Sequence, residues 1–470
     1  MSQLSRRSFL SASAALAVEP AWSQTKTTPA AGKKAVPKEL KAEPRTPPVP
    51  ITSAGNDVVI IGAGAAGIAA ARRLAAARLR VIVVEAADQI GGRCITDTTT
   101  FGVPYDRGAH WIHMPEINPV ARLATQTGLD IYPAPTGQRV RVGRRFARDS
   151  EMEQYLASRV RAQTAITDAA RSRIDTACAA AIPKDLGDWR PAIEFFLGPF
   201  SCGKDLAEIS ALDFSRSAER DIDAFCRQGF GTLLARLGTN IPVQLSSPVT
   251  RVAYQGRQNC EVETAQGRIE ARSVIVTVST SVLTSGQIKF TPDLPRRHVD
   301  AADYLKLGSY DHIALEIPNN PFGLRPDELM IEKAVGPRTG ALYANVAGTT
   351  LCIVDVGGRF GRELSAKGEQ EMVAFALDWL GNLYGPEFKN TVRRRHATRW
   401  NAAPYVRGAF SAAPPGAQPS RKILTEPVAN RIWFAGEAVH ETLWGTVGGA
   451  WESGERAADG VMRALGVRRG

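Results

Sequence analysis

Apolar and polar positions along this chain fall into blocks whose period changes several times. Asp57-Val58-Val59-Ile60-Ile61 is a short β-branched run, and Arg80-Val81-Ile82-Val83-Val84 is a second, ending at Glu85. Short apolar runs without alternation predict strands buried on both faces of a parallel sheet. Between them, Gly62-Ala63-Gly64-Ala65-Ala66-Gly67 predicts a tight turn followed by an Ala-rich helix to about Arg78. Residues 246–252, 261–264 and 274–277 alternate like the strands of a small sheet, broken by turns at Gly256 and Gly267. Residues 150–182, rich in Ala, Arg and Gln, and residues 369–383 read as helices. Residues 24–54 hold Pro29, Pro37, Pro44, Pro47, Pro48 and Pro50 among Lys, Thr and Ala, which predicts an extended linker. No apolar run reaches the roughly 18 to 20 residues that span a bilayer, so no stable membrane span is expected. No fixed-period repeat is visible.

Strand, glycine turn, helix, strand and acid, all within about thirty residues, make a dinucleotide site. Gly62 permits the turn, Gly64 and Ala66 lie where backbone approaches a pyrophosphate, and Gly67 lets helix and strand pack closely. The helix N-terminus then offers free N–H groups and partial positive charge to the phosphates. Glu85 is placed to accept hydrogen bonds from ribose hydroxyls. This spacing suits FAD and NAD alike. Six residues beyond Glu85, Gly91-Gly92-Arg93 brings a guanidinium back towards the same diphosphate. Joined to the acid-ended strand, it resembles the FAD fingerprint of the glutathione-reductase-like class.

Composition narrows the partners. The 470 residues are 44% hydrophobic and 22% charged, which excludes disorder as the main description. Of the net charge of +11, the first fifty residues carry five, from eight Lys/Arg against three Glu, leaving +6 for the rest. That mild excess, without an aromatic-interleaved basic stripe, argues against nucleic acid as a partner. Six cysteines (Cys94, Cys178, Cys202, Cys226, Cys260, Cys352) form no C-x-x-C or close pair, which argues against a metal centre and leaves room for one or two bridges.

More specific is Tyr105-Asp106-Arg107-Gly108-Ala109-His110-Trp111-Ile112-His113, with Asn118-Pro119 behind it. Near the C-terminus stand Arg431-Ile432-Trp433-Phe434-Ala435-Gly436-Glu437, Trp444-Gly445-Thr446-Val447-Gly448-Gly449-Ala450 and Ser453-Gly454-Glu455-Arg456-Ala457. Between them lie Trp400, Pro404-Tyr405 and Gly408-Ala409-Phe410-Ser411. From about residue 55 to the end, the chain resembles the flavin amine oxidases, and in the first segment it is most similar to polyamine and spermine oxidases. The resemblance implies an FAD-dependent enzyme that takes a hydride from the carbon next to an amine nitrogen. It places Gly108, Ala109, His110 and Trp111 near the ring and Trp400 and Tyr405 beside it. Gly436 and Glu437 fall at the ribityl-diphosphate region, Thr446 and Val447 along the ring, and Val249 at the adenine. Where monoamine oxidases attach flavin through a cysteine this chain has Ala409, so FAD is expected to be non-covalent.

The same resemblance names four catalytic candidates. Phe410 and Thr446 occupy the positions of an aromatic pair facing the ring, of which one half is missing. His113 matches a histidine at the pocket wall of polyamine-oxidising relatives. His312, within Leu307-Gly308-Ser309-Tyr310-Asp311-His312-Ile313-Ala314-Leu315, stands where the family holds a lysine through a water, with Lys306 as an alternative substitute. The fold implied is α/β, a two-domain arrangement in which a Rossmann-like, glutathione-reductase-like FAD domain is interleaved with an α+β substrate domain. The FAD domain is expected at 55–135, 225–290 and 395–470, and the substrate domain at 136–224 and 291–394.

Three activities stay open. One is an oxidase acting on a small-molecule amine such as a polyamine, reoxidised by O2 with release of hydrogen peroxide. Another is a dehydrogenase passing electrons to a redox carrier protein such as a cytochrome. The third is a flavin-binding protein without turnover. Ser5-Arg6-Arg7-Ser8-Phe9-Leu10, the apolar stretch Ala12–Val18 and the small-x-small site Ala21-Trp22-Ser23 match a twin-arginine signal peptide over residues 1–23. The twin-arginine translocase would then carry the folded protein to the periplasm.

Overall fold

Three strands set the frame: Asn56–Ile61 pairs in parallel with Val81–Val84 on one side and with Gly267–Val276 on the other. Val58, Val59 and Ile60 are wholly buried, the pattern of a strand covered on both faces. Alternation assigns the faces: Val58 and Ile60 join one hydrophobic cluster with Leu74 and Trp451, while Val59 and Ile61 join another with Val252 and Ile432. This computed structural model describes residues 55–217, 222–255 and 259–467. The signal peptide expected over residues 1–23 and the linker expected over 24–54 lie outside the described residues.

The first sheet runs in the order Val243–Gln244, Val81–Val84, Asn56–Ile61, Gly267–Val276, Cys260–Thr264, Val249–Ala253 and Lys289–Thr291, with Ile432–Phe434 also paired to Gly267–Val276. The alternating segments of the sequence are its antiparallel part, where Cys260–Thr264 lies between Val249–Ala253 and Gly267–Val276. The fingerprint helix Ala65–Ala76 crosses the last helix, Val447–Ala464, at close range. A side chain at Gly454 would meet the Ala66 carbonyl oxygen at 2.1 Å, so the two helices touch backbone to backbone there.

A second sheet has the order Arg395–Ala397, Tyr310–Glu316, Leu351–Gly357, Ala341–Ala344, Glu328–Glu332, Arg139–Val142 and Arg145–Phe146. Helix Glu369–Tyr384 packs against it through Met372, Phe375 and Trp379. A small third sheet joins Ile112–His113, Asp223–Cys226 and Ile131–Pro133. The fold is the α/β arrangement expected, with the second sheet built from insertions into the first. The described residues cluster as one compact unit. Strand pairing draws the edges differently from composition. Arg395–Ala397, placed by sequence in the FAD segment, hydrogen-bonds to Ile313–Leu315 of the second sheet. Asp223–Cys226 straddles the boundary drawn at residue 224. All six cysteines are buried and none is in a disulfide, so neither bridge the sequence left room for is formed.

Candidate active site

The nucleotide end begins where the first strand stops. Gly62 has φ +106°, a conformation L side chains rarely adopt, and a side chain at Gly67 would meet the Gly62 carbonyl oxygen at 1.9 Å. Glu85 follows its strand into the same turn. Its carboxylate accepts from the Ala63 N–H at 2.6 Å and the Ala87 N–H at 2.9 Å. Burial raises its pKa against the pull of these bonds.

Arg93 donates Nη1 to the Ala409 carbonyl at 2.6 Å and to Glu437 Oε1 at 2.9 Å. Glu437 also accepts from the Ser411 hydroxyl at 2.8 Å and the Gly445 N–H at 2.9 Å. Burial pushes its pKa up, but Arg93, Ser411 and Arg421 outweigh that and hold it below the usual value. Arg421, fully buried, forks onto both oxygens of Asp213 at 2.7 Å, donates to the Ser411 hydroxyl at 3.1 Å and lies over Trp444. This charged network ties the segment before residue 217 to both ends of the nucleotide site. Nothing local in the sequence singles out Arg421 or Asp213.

Opposite stands a wall rich in histidine and aromatic side chains. His110 stacks on Phe225 at 4.4 Å between centroids and places Nδ1 2.9 Å from Asp106 Oδ2. Asp106 accepts as well from the Thr96 hydroxyl and from the Phe230 and Gly231 N–H groups at the start of helix Phe230–Leu237. His113 lies flat beside Trp111, with Nδ1 2.6 Å from Asp223 Oδ1.

On the second sheet, Tyr310 and His312 share one face of their strand. His312 pairs in register with Asp355 on the neighbouring strand. His312 Nδ1 is 3.0 Å from the Asp106 carbonyl oxygen, and Nε2 is 3.5 Å from Asp355 Oδ1. Tyr310 donates its hydroxyl to Asp355 Oδ2 at 2.8 Å. Burial raises the Asp355 pKa, opposed by His312 and Tyr310. Lys306 is excluded as the alternative: its side chain is 57% exposed and paired with Asp303, outside the cavity wall.

These parts enclose one cavity of about 1210 Å³. Every residue singled out from sequence for cofactor or catalysis lines it except Gly67, which packs behind the turn, and Lys306. Asp355, Tyr310, Tyr343 and Asp223 line it too and were missed. Thr446 reaches the wall, yet its hydroxyl caps the last helix, donating to the Leu443 carbonyl at 2.7 Å and accepting from the Gly449 N–H at 2.9 Å. Phe410 packs 5.8 Å from Tyr310 between centroids, so Tyr310 supplies the second ring beside it. Tyr405, 43% exposed, lies at the cavity's outer edge.

The cavity fits FAD. The backbone around Gly62 and Gly64 leaves room for a diphosphate at a helix N-terminus, and Arg93 faces the same space. A side chain at Gly436 would meet nothing within 4 Å, so open space adjoins the backbone beside Glu437. Ala409 lines the cavity and carries no nucleophile for a covalent link. A family model described as flavin containing amine oxidoreductase matches residues 65–462. Lysine-specific histone demethylase 2 of Homo sapiens is 26% identical over 440 residues, 86% of this chain and 53% of that protein, so the chain spans about half that relative's length. Probable polyamine oxidase 4 of Arabidopsis thaliana is 25% identical over 456 residues, 88% of each chain. Among solved structures, cyclohexylamine oxidase from Brevibacterium oxydans IH-35A superposes with a TM-score of 0.73 at 22% identity, covering 87% of this chain and 99% of that one. A putrescine oxidase bound to putrescine gives 0.72 at 20% identity, with the same coverage. Fold, cavity and family model agree, and the chain belongs to the flavin containing amine oxidoreductase family, with FAD as its cofactor.

Proposed function

We propose that the protein oxidises a small-molecule amine to an imine at the wall formed by His113, Tyr310, His312 and Phe410. One observation carries this reading: the nucleotide turn at Gly62 and the histidine–carboxylate wall at His312 and Asp355 border one continuous cavity. FAD, when bound, supplies the acceptor for a hydride from the carbon next to nitrogen. The chain's own groups do the rest. Phe410, Tyr310 and Trp111 give an apolar, aromatic surface that favours a neutral amine over its ammonium by desolvation. His113, oriented by Asp223, stands ready to hydrogen-bond the substrate nitrogen or a second polar group. His312 sits where a proton can be taken up or given back. Arg93 and Glu437 hold each other at the junction of the nucleotide and ring ends.

The cavity lining holds Arg93 and Arg159 against Glu85, Asp223, Asp355 and Glu437, of which Glu437 is paired with Arg93 and Asp223 and Asp355 are each engaged by a histidine. This charge balance supports an amine with one nitrogen and an apolar body over a polycation. The test is anaerobic mixing of the purified holoenzyme with cyclohexylamine, benzylamine, putrescine and spermidine. Bleaching of the flavin by at least one amine is expected, and none with any of the four would overturn the reading. Admitting oxygen then separates the two enzyme forms: rapid return of the yellow colour with peroxide marks an oxidase. Slow return that a soluble cytochrome accelerates marks a dehydrogenase. The sequence expectation of twin-arginine export to the periplasm belongs to the same proposal, since a cofactor-bearing fold must be completed before translocation.

A further inference from the structure

The least conventional feature of the cavity wall is the contact between His312 and Asp355. His312 is 5% exposed, and its Nδ1 lies 3.0 Å from a backbone carbonyl oxygen, that of Asp106. A carbonyl only accepts, so Nδ1 must carry hydrogen, which fixes the neutral tautomer. Nε2 is then the nitrogen that gains or loses a proton. It faces Asp355 Oδ1 at 3.5 Å, and that oxygen is buried with no hydrogen-bond partner among the described residues. With neither group protonated there, a ring lone pair would oppose a buried carboxylate oxygen. The arrangement is satisfied when one proton sits between them.

We propose that His312 and Asp355 form a single proton-accepting unit that removes the proton from the bound substrate ammonium. The unit rests on the reading of the cavity as an amine site. One N–H bond of the ammonium breaks and an Nε2–H bond forms, leaving a neutral amine beside an imidazolium paired with Asp355. No oxidant takes part, and the proton returns to water after product leaves. His312 is the catalytic residue, and Asp355 and Tyr310 are positioning residues that set how strongly Nε2 holds its proton.

Other groups face the unit. Tyr310 donates to Asp355 Oδ2 from the same strand as His312. His110 acts on Asp355 electrostatically from the Asp106 segment, and Tyr343 feels the Asp355 charge from the next strand. Asp311, on the opposite face of the strand, is engaged by Thr398 and the Trp400 N–H. Of these, Tyr310 makes a direct hydrogen bond to the carboxylate. The two positioning residues therefore have opposite effects. Asp355→Asn removes the negative charge that holds the proton, and the unit should release it at lower pH. Tyr310→Phe removes a donor that stabilises the carboxylate, and the unit should release it at higher pH.

The experiment labels the six histidines of the holoenzyme with 15N and follows them by NMR against pH. The signal lost in His312→Gln identifies His312. Expected is an Nδ1 that stays protonated throughout and an Nε2 whose midpoint falls by at least one pH unit in Asp355→Asn and rises in Tyr310→Phe. An Nε2 that stays protonated while Nδ1 titrates, or midpoints that do not move in the two variants, would overturn the unit. Bound-flavin absorbance reports whether each variant is folded. Anaerobic flavin reduction by the amine that bleaches the wild type should follow the same midpoints, whereas a purely structural role would lower its rate equally at all pH values. Absence of bleaching by any amine would sink the amine-site reading, and with it the ammonium step, while leaving the NMR result to decide the shared proton.

Discussion

Asp106 holds two imidazoles at once, its carboxylate on His110 Nδ1 and its backbone carbonyl on His312 Nδ1. That one residue orients two walls was hidden in the sequence, because His312 is 206 residues away. The fingerprint around Gly62 and the Tyr105–His113 segment were legible because their chemistry is packed into short, contiguous stretches. His312 with Asp355, and Arg421 with Asp213, are created by strand register and packing between distant segments, to which periodicity is blind. Thr446 could have been read more fully: a Thr followed by Val447-Gly448-Gly449 at the head of a helical stretch is also an N-cap. Asp311 gives a test of pH dependence. Burial raises its pKa from 3.8 to about 7, against hydrogen bonds from the Trp400 N–H and Thr398. A folded pKa above the unfolded one means the contribution is complete below about pH 4 and is lost as pH rises through about 7. At 1.36 kcal/mol per unit the loss is at most about 4 kcal/mol. Asp311→Asn keeps the oxygen that accepts both bonds and cannot ionise. Its stability relative to wild type should therefore improve between pH 4 and pH 8, read as urea midpoints, and a constant difference would refute the assignment.

Among the elements, the contact between the fingerprint helix and the last helix decides how the two ends of the chain meet. Ala and Gly dominate the facing surfaces, and the backbones approach more closely than any larger side chain permits. Composition alone showed small residues in both helices, but not that Gly454 faces Ala66. Gly454→Ala would force the last helix away from the turn that holds Gly62 and Gly64, at a cost of about 1–3 kcal/mol from overpacking. The expected result is FAD lost on gel filtration, whereas Gly336→Ala, where a side chain meets nothing within 4 Å, should retain it. Equal retention by both variants would show that the close approach is not required for binding. The edge strand Arg395–Ala397 carries a related lesson: three residues without β-branched or aromatic side chains carry no signal of which sheet they will join.

For the whole molecule, the first 54 residues and the folded body make separate claims. Replacing Arg6 and Arg7 by Lys in the full chain should leave flavin content intact while retaining the protein in the cytoplasmic fraction, and unchanged export would refute the signal. Among the described residues no helix is long and apolar enough to cross a membrane. The burial of six unlinked sulfhydryls has its own consequence. Nothing in this body depends on oxidative pairing, so the same scaffold can be completed in a reducing or an oxidising milieu. Cys94 and Cys202 border the cavity, while Cys260 and Cys352 lie within the first and second sheets. Their order of attack by a bulky thiol reagent would chart which part of the protein breathes first, and loading with prosthetic group should slow the cavity pair more than the sheet pair.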